Sequence, residues 1–349
     1  MQGTLRKTLI IRFSSVGDIV LSTPLIRALR RRFPQSQIDF LARSEYVELL
    51  RDNPNLTTVL EFPAGGSLDD IHRLRTGIAD AGYDLILDIH GSLRSRILCR
   101  GLKNVVRVRK RVFPRFLLVH MKVDLYRFFG GAPGIADRYL ETAGQLADDD
   151  GEGPELFPSA AAFARTKELL GGLSDGSGIT IGICPSARHA TKIWPAERFA
   201  GVAATLGKSR AATIILFGSS AEDRRCREIM EAIHTLDPGV PVLDLSGRLS
   251  LIETAAAMDR CEVVVTNDSG LMHIAAARKR KIVALFGSTV RQFGFYPPPA
   301  RSIILEQHGL KCRPCTHIGR ASCPLGHFRC MVDIAPARAV DAVNALLEP

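Results

Sequence analysis

Leu9-Ile10-Ile11-Arg12-Phe13-Ser14-Ser15-Val16-Gly17-Asp18-Ile19-Val20 is the most informative run of this chain. Its apolar start reads as a strand and its small residues as a flexible turn. Beyond the turn, Ile19, Leu21, Leu25, Ile26 and Leu29 recur at helical spacing. A strand running into a helix through a short turn is the unit of an open α/β sheet, and ligands of such sheets bind beyond the carboxyl ends of the strands. Asp18 stands at that place. An acid at a helix mouth is equally a cap, so this pattern alone leaves cap and catalyst open.

Working outward, candidate strands at 8–13, 37–42, 57–62, 84–89 and 104–109 alternate with helical patterns at 18–33, 68–82 and 93–101. Such alternation predicts parallel strands joined by crossover helices. One or two helices over 123–147 close this half, and Asp148-Asp149-Asp150-Gly151-Glu152-Gly153-Pro154, acidic and rich in breakers, reads as a linker. The second half repeats the style, with strands near 178–184, 212–217, 242–245, 262–266 and 281–286. Its helices fall near 195–206, 221–235, 250–258 and 270–278, and a last helix near 336–347 is expected to pack back across the interface. A chain of 349 residues suits two domains. The expected architecture is therefore α/β, two Rossmann-like doubly wound domains facing a cleft, spanning 1–150 and 151–349.

A content of 46% hydrophobic and 23% charged residues is that of a soluble globular chain. No apolar run approaches the ~20 residues that span a bilayer. The first strand begins too early to leave room for a signal peptide, so the expected location is cytoplasmic. The net charge of +10 is concentrated, because residues 89–123 hold ten Lys or Arg and no Asp or Glu. That one-sign field favours an anionic partner: a phosphorylated saccharide, an acidic membrane surface or a nucleic acid. Nucleic acid is disfavoured, because the stretch offers only Phe113 and Phe116 for stacking on bases.

Two loops carry candidate chemistry. In Cys184-Pro185-Ser186-Ala187-Arg188-His189-Ala190-Thr191-Lys192-Ile193-Trp194-Pro195, hydroxyls, backbone amides and Lys192 suit a diphosphate. Trp194 reads as a hydrophobic anchor. In Val265-Thr266-Asn267-Asp268-Ser269-Gly270-Leu271-Met272-His273, a β-branched strand meets a small-residue helix whose first amides suit an anion. His273, one turn in, is placed to reach the same ligand. Neither loop is a G-x-G-x-x-G fingerprint or a P-loop, which weakens dehydrogenase and NTPase readings.

Together these residues resemble the bacterial heptosyltransferases of glycosyltransferase family 9. The resemblance rests on Ser14-Ser15-Val16-Gly17-Asp18, Thr23-Pro24, Pro185-Ser186-Ala187-Arg188, Lys192-Ile193-Trp194-Pro195, Glu197 and Phe199-Ala200. It continues through Asp268-Ser269-Gly270, His273, Ala275-Ala276 and Ala284-Leu285-Phe286-Gly287. It implies a GT-B fold, with an N-terminal acceptor-binding domain and a C-terminal nucleotide-sugar-binding domain. The implied reaction is inverting transfer of heptose from ADP-heptose to the lipopolysaccharide inner core, with no cofactor required.

By the same resemblance Asp18 is the general base, and Ser186, Thr191, Lys192, Asp268, Ser269, Gly270 and His273 hold the donor. Arg94 and Arg96 contact an anionic acceptor, and the enzyme works in peripheral contact with the inner membrane at its cytoplasmic face. The alternatives are another nucleotide sugar or acceptor (protein included), or a nucleotide-binding protein without transfer activity. Eight cysteines in such a chain argue against a disulfide framework. Four of them, Cys312, Cys315, Cys323 and Cys330 within a Cys-rich segment at 311–331, read either as a structural zinc or iron knuckle or as free thiols.

Overall fold

The computed structural model describes residues 5–129, 131–171 and 178–348. The chain forms two compact units, Met1–Arg111 with Pro133–Phe157, and Val112–Ala132 with Pro158–Pro349.

In the first unit β1 (Lys7–Ile11) leads through a turn into two short helices, α1 (Val16–Val20) and α2 (Thr23–Arg32). The single helix expected over 18–33 is broken because Pro24 brings no N–H to the second helix's first turn. At the break the Ser22 and Thr23 hydroxyls donate to the carbonyls of Ile19 and Val20 (2.6 and 2.8 Å). Next come β2 (Gln37–Arg43), β3 (Thr58–Phe62), α3 (Leu68–Ala81), β4 (Leu85–Asp88), α4 (Leu93–Leu98) and β5 (Val105–Arg107). The chain then gives α5 (Val112–Phe116) and a π-helical turn (Leu117–Met121) to the second unit, and returns with α6 (Ile135–Ala143).

The five strands are parallel in the order β3-β2-β1-β4-β5. Leu9, Ile10 and Ile11 are wholly buried, as a strand covered on both faces requires. The chain winds outward from β1 to β3 and then restarts at β4, on the other side of β1. That reversal opens a crevice beyond the carboxyl ends of β1 and β4, which sets the loop after Ile11 beside the loop after Asp88.

The second unit holds α7 (Ala160–Leu170), β6 (Thr180–Cys184), α8 (Ala196–Arg210), β7 (Thr213–Leu216), α9 (Asp223–Leu236) and β8 (Val242–Asp244). It continues with α10 (Leu251–Met258), β9 (Val263–Asn267), α11 (Gly270–Ala277), β10 (Lys281–Phe286), β11 (Ser302–Glu306), α12 (Arg329–Val332) and α13 (Pro336–Leu347). Its six parallel strands run β11-β10-β9-β6-β7-β8, so the reversal falls between β6 and β9. The Lys192 loop and the Asp268 loop meet there.

Three expectations change. Residues 148–154 are no bare linker, because Arg27 of α2 grips Asp150 (2.6 and 2.7 Å) and Glu155 (2.7 Å). The division therefore falls between Phe157 and Pro158 rather than at 150/151, and residues 112–132 belong with the second unit. The last helix packs into its own unit's core, where Ala339, Ala342 and Val343 join Trp194, Phe199 and Val265. Helix α7 and strand β11 were not legible as separate elements.

Candidate active site

In the first unit Asp18 is the hub. It sits in the first turn of α1, where its carboxylate Oδ2 accepts from the capping Ser15 through the hydroxyl (2.9 Å) and the amide (3.3 Å). The same oxygen pairs with Arg12 Nη2 at 2.7 Å. Oδ1 accepts from the Tyr139 hydroxyl of α6 at 3.0 Å, which leaves it a lone pair for another donor. Burial alone would push the Asp18 carboxyl up. The Arg12 charge and the donors Ser15 and Tyr139 outweigh burial and hold it below its ordinary value. Cap and catalyst are thus not exclusive: one oxygen is tied into the cap, and the other remains available.

Arg12 also donates to the Ile89 carbonyl (2.9 Å), tying the β1 loop to the β4 loop. That second loop is shaped by Asp88, wholly buried at the end of β4. Its carboxylate accepts from the His90 and Gly91 amides (3.2 and 2.8 Å) and the Ser95 hydroxyl (3.0 Å). Gly91 takes φ +56°, and a Cβ there would lie 3.1 Å from Lys110 Cε. His90 is pushed down to about 3, by burial first and then by Arg12 and Lys110, so its ring is neutral near pH 7.

Beside these loops lies a cavity of about 440 Å³ lined by Phe13, Ser14, Arg43, His90, Ser92, Arg94 and apolar side chains of α3 and α4. Arg94 reaches it. Arg96, two residues on and on another face of α4, is not among the lining residues. Arg43 was missed, since nothing in the sequence relates the end of β2 to α4. Its Nε and His90 Nδ1 are buried without a hydrogen-bond partner.

In the second unit Lys192 Nζ pairs with Asp268 Oδ2 at 2.7 Å, and Thr289 donates to the same oxygen (2.6 Å). Ser269 begins α11 without capping it, and its hydroxyl, like that of Ser186, is buried and uncommitted. Gly270 opens α11, and His273 is buried within it, with its ring 6.1 Å from Phe295. Thr191 is tied into the protein. Its buried hydroxyl bonds Ser288 (3.1 Å) and accepts from the Arg320 amide (2.8 Å), while its own amide donates to the Arg320 carbonyl (3.1 Å). Thr191 therefore clamps the Lys192 loop to the Cys-rich segment. Trp194 is the anchor expected, wholly buried, bonded to the Ile334 carbonyl (3.1 Å) and edge-on to Phe199.

Cys312, Cys315, Cys323 and Cys330 converge on one cavity of about 290 Å³, shared with Lys122, Arg313, Arg320 and His327. Cys312 Sγ lies 3.9 Å from His327 Nε2. Burial raises the Cys315 thiol and pushes Cys330 up to about 11. Among the described residues no group of three or more His, Cys, Asp or Glu is arranged to hold a metal ion. The segment is fixed instead by Arg313, which donates to the carbonyls of Gly287 (2.6 Å) and Thr289 (2.7 Å) and pairs with Glu306.

Two doubly wound units, one with a carboxylate and the other with a lysine, free hydroxyls and a helix mouth at the switch point, are the layout of a GT-B glycosyltransferase. The sequence profile of glycosyltransferase family 9 (heptosyltransferase) matches residues 71–324. The chain is 30% identical to lipopolysaccharide heptosyltransferase 2 of Salmonella typhimurium, over 98% of each chain. Its fold resembles the Escherichia coli ADP-heptose lipopolysaccharide heptosyltransferase II structure, with 26% identity, TM-score 0.71 and 98% of each chain covered. A family 9 structure from Veillonella parvula superposes with TM-score 0.81 at 23% identity, over 99% of this chain and 98% of that one. The chain belongs to glycosyltransferase family 9, and it is a glycosyltransferase of the GT-B fold.

Proposed function

We propose that this enzyme moves heptose from ADP-heptose to the inner core of lipopolysaccharide with inversion at the anomeric carbon. The observation that carries the reading is the pair of switch-point constellations, Asp18 with an open lone pair in one unit and Lys192–Asp268 with free hydroxyls in the other. The relatives' names supply the donor and acceptor classes.

In this reading the acceptor hydroxyl donates to Asp18 Oδ1, its oxygen attacks the anomeric carbon, and its proton passes to the carboxylate as the bond to ADP breaks. General-base assistance of this kind contributes ~10²–10⁴ in rate. The departing diphosphate gains negative charge, which Lys192, the first amides of α11 and the Ser186 and Ser269 hydroxyls are placed to stabilise. His273 and Gly270 line the same helix mouth, and Asp268 holds the Lys192 ammonium in position until the diphosphate takes it over. Thr191 acts behind Lys192 as a positioning residue.

Arg43, which pairs with Glu45, and Arg94, whose guanidinium lies 5.5 Å from the Phe62 ring centroid, suit an anionic group on the acceptor. The stabilising groups needed by the leaving group are all side chains and amides of the chain, so the reading requires no metal. A lipid-anchored acceptor places the work at the cytoplasmic face of the inner membrane, in peripheral contact. Among the described residues no helix is long and apolar enough to cross it.

Calorimetry with ADP, UDP and GDP on the wild type and Lys192→Ala tests the donor assignment. ADP preference lost in the variant supports it; preference for UDP or GDP leaves the transferase and discards ADP-heptose.

A further inference from the structure

None of the groups assigned above to the proposed reaction comes from the segment Val112 to Phe128. One side is firmly seated in the second unit. Leu118, Val119 and Tyr126 are buried with Phe293, and Val290 and Phe295 pack alongside. The Lys122 ammonium donates to the carbonyls of Val119, Cys312 and Pro314 (2.8, 3.2 and 2.5 Å). Asp124 accepts from the Tyr126 amide and from Gln292 (2.9 and 2.8 Å).

The segment also carries exposed apolar side chains. Phe113, Phe116, Met121 and Phe128 are 66, 53, 61 and 66% exposed, and Val112 and Val123 are exposed with them. These are six of the thirteen large apolar side chains exposed among the described residues, gathered in 17 consecutive positions. Apolar side chains scattered singly on a surface need no explanation, whereas a concentration of them marks an interaction site.

The charge along the segment is mainly positive, although Arg111 just before it lies 3.8 Å from Glu141. The chain enters the segment directly from Arg109-Lys110-Arg111, and Arg115 and Arg127 lie within it. The one acid, Asp124, is committed to Tyr126 and Gln292. The Arg127 guanidinium lies 4.7 Å from the Phe128 ring centroid, at the base of an outward aromatic. Bulky apolar tips among arginines and lysines are the composition that enters the headgroup layer of an anionic bilayer. A second copy of this chain fits poorly, since a two-fold contact would set the same cations against each other.

We infer that Val112 to Phe128 is a membrane-docking surface, inserting Phe113, Phe116, Met121 and Phe128 among the headgroups of anionic phospholipids while the flanking arginines meet the phosphates. The choice of a lipid surface rests on the proposed lipid-anchored acceptor together with this charge.

The test is co-sedimentation of the full chain with vesicles of phosphatidylcholine alone and of equal parts phosphatidylcholine and phosphatidylglycerol, at low and high salt. The expected result is salt-sensitive binding to the anionic vesicles. The triple variant Phe113→Ser, Phe116→Ser, Phe128→Ser is expected to weaken that binding at least about tenfold, from the apolar area removed, with ADP affinity unchanged. Arg115→Glu with Arg127→Glu should weaken it as well, by a route that leaves the apolar groups in place. The proposal is overturned if the wild type ignores anionic vesicles, if the variants bind as the wild type does, or if the triple variant instead loses a self-association seen by gel filtration. Vesicle binding that persists in a protein without ADP preference overturns the donor assignment and leaves this surface standing.

Discussion

Replacing Asp18 by asparagine keeps the shape of the side chain and removes its charge, so it separates capping from the base role proposed for the carboxylate. The amide oxygen still accepts from Tyr139 or Ser15, but the side chain offers no anion to Arg12, which lies 2.7 Å away. Both native side chains are only about an eighth exposed (12% and 13%). Removing one partner of a fully buried pair costs ~3–5 kcal/mol. Arg12 keeps the Ile89 carbonyl (2.9 Å) and the Tyr139 ring 5.7 Å away, so the expected loss of stability is smaller, ~1–3 kcal/mol. The expected fall in turnover is ~10²–10⁴, because the proton acceptor is gone. The assay is transfer from ADP-heptose to a delipidated inner-core acceptor under saturating donor, with urea unfolding and ADP calorimetry on the same preparation. ADP affinity should not change, since the groups proposed to hold ADP lie in the other unit. If the Asp18→Asn enzyme retains more than about a tenth of wild-type turnover, Asp18 is a cap and the base lies elsewhere.

Further expectations follow from the same geometry. Lys192→Ala removes a charged donor worth ~1.5–3 kcal/mol, so ADP should bind ~10–150-fold more weakly by calorimetry; Asp268→Asn in that background should not weaken it further, because the aspartate's partner is already absent. The Asp18 carboxyl is held below its ordinary value, so it stays ionised as pH falls until well into the acid range. Loss of kcat/KM on acidification should accordingly begin below the usual carboxylate range. Tyr139→Phe deletes one of the donors that lower it, and the acid limb of the pH–rate profile should move upward. Trp194→Ala empties a fully buried site and should cost ~3–5 kcal/mol in urea unfolding of the second unit, read by circular dichroism.

The strand–helix alternation was readable because parallel strands buried on both faces are near-continuous apolar runs. Leu9 to Ile11 and Val263 to Val265 show this plainly, being wholly buried. The motifs at Asp18, Lys192 and Asp268 were readable because a strand end followed by small residues and a helix is a local pattern. The break at Ser22–Thr23, the docking of Asp150 onto Arg27 and the outward apolar face of Val112 to Phe128 were less so. Each depends on what lies across from the segment rather than along it.

Residue order alone made it legible that two parallel sheets form and that an acid and a lysine stand at strand ends. Local propensity and hydrophobic period suffice for that. What each of those groups faces came from the folded arrangement. Strand order put the loops after β1 and β4 side by side, brought Tyr139 from α6 onto Asp18, and set Arg43 in one cavity with Arg94. It also brought the Thr191 hydroxyl onto Ser288 and the Arg320 amide. Hydrogen bonds and ion pairs act over a few ångströms of space, and the winding of the sheets settles which partners, far apart along the chain, come within that reach.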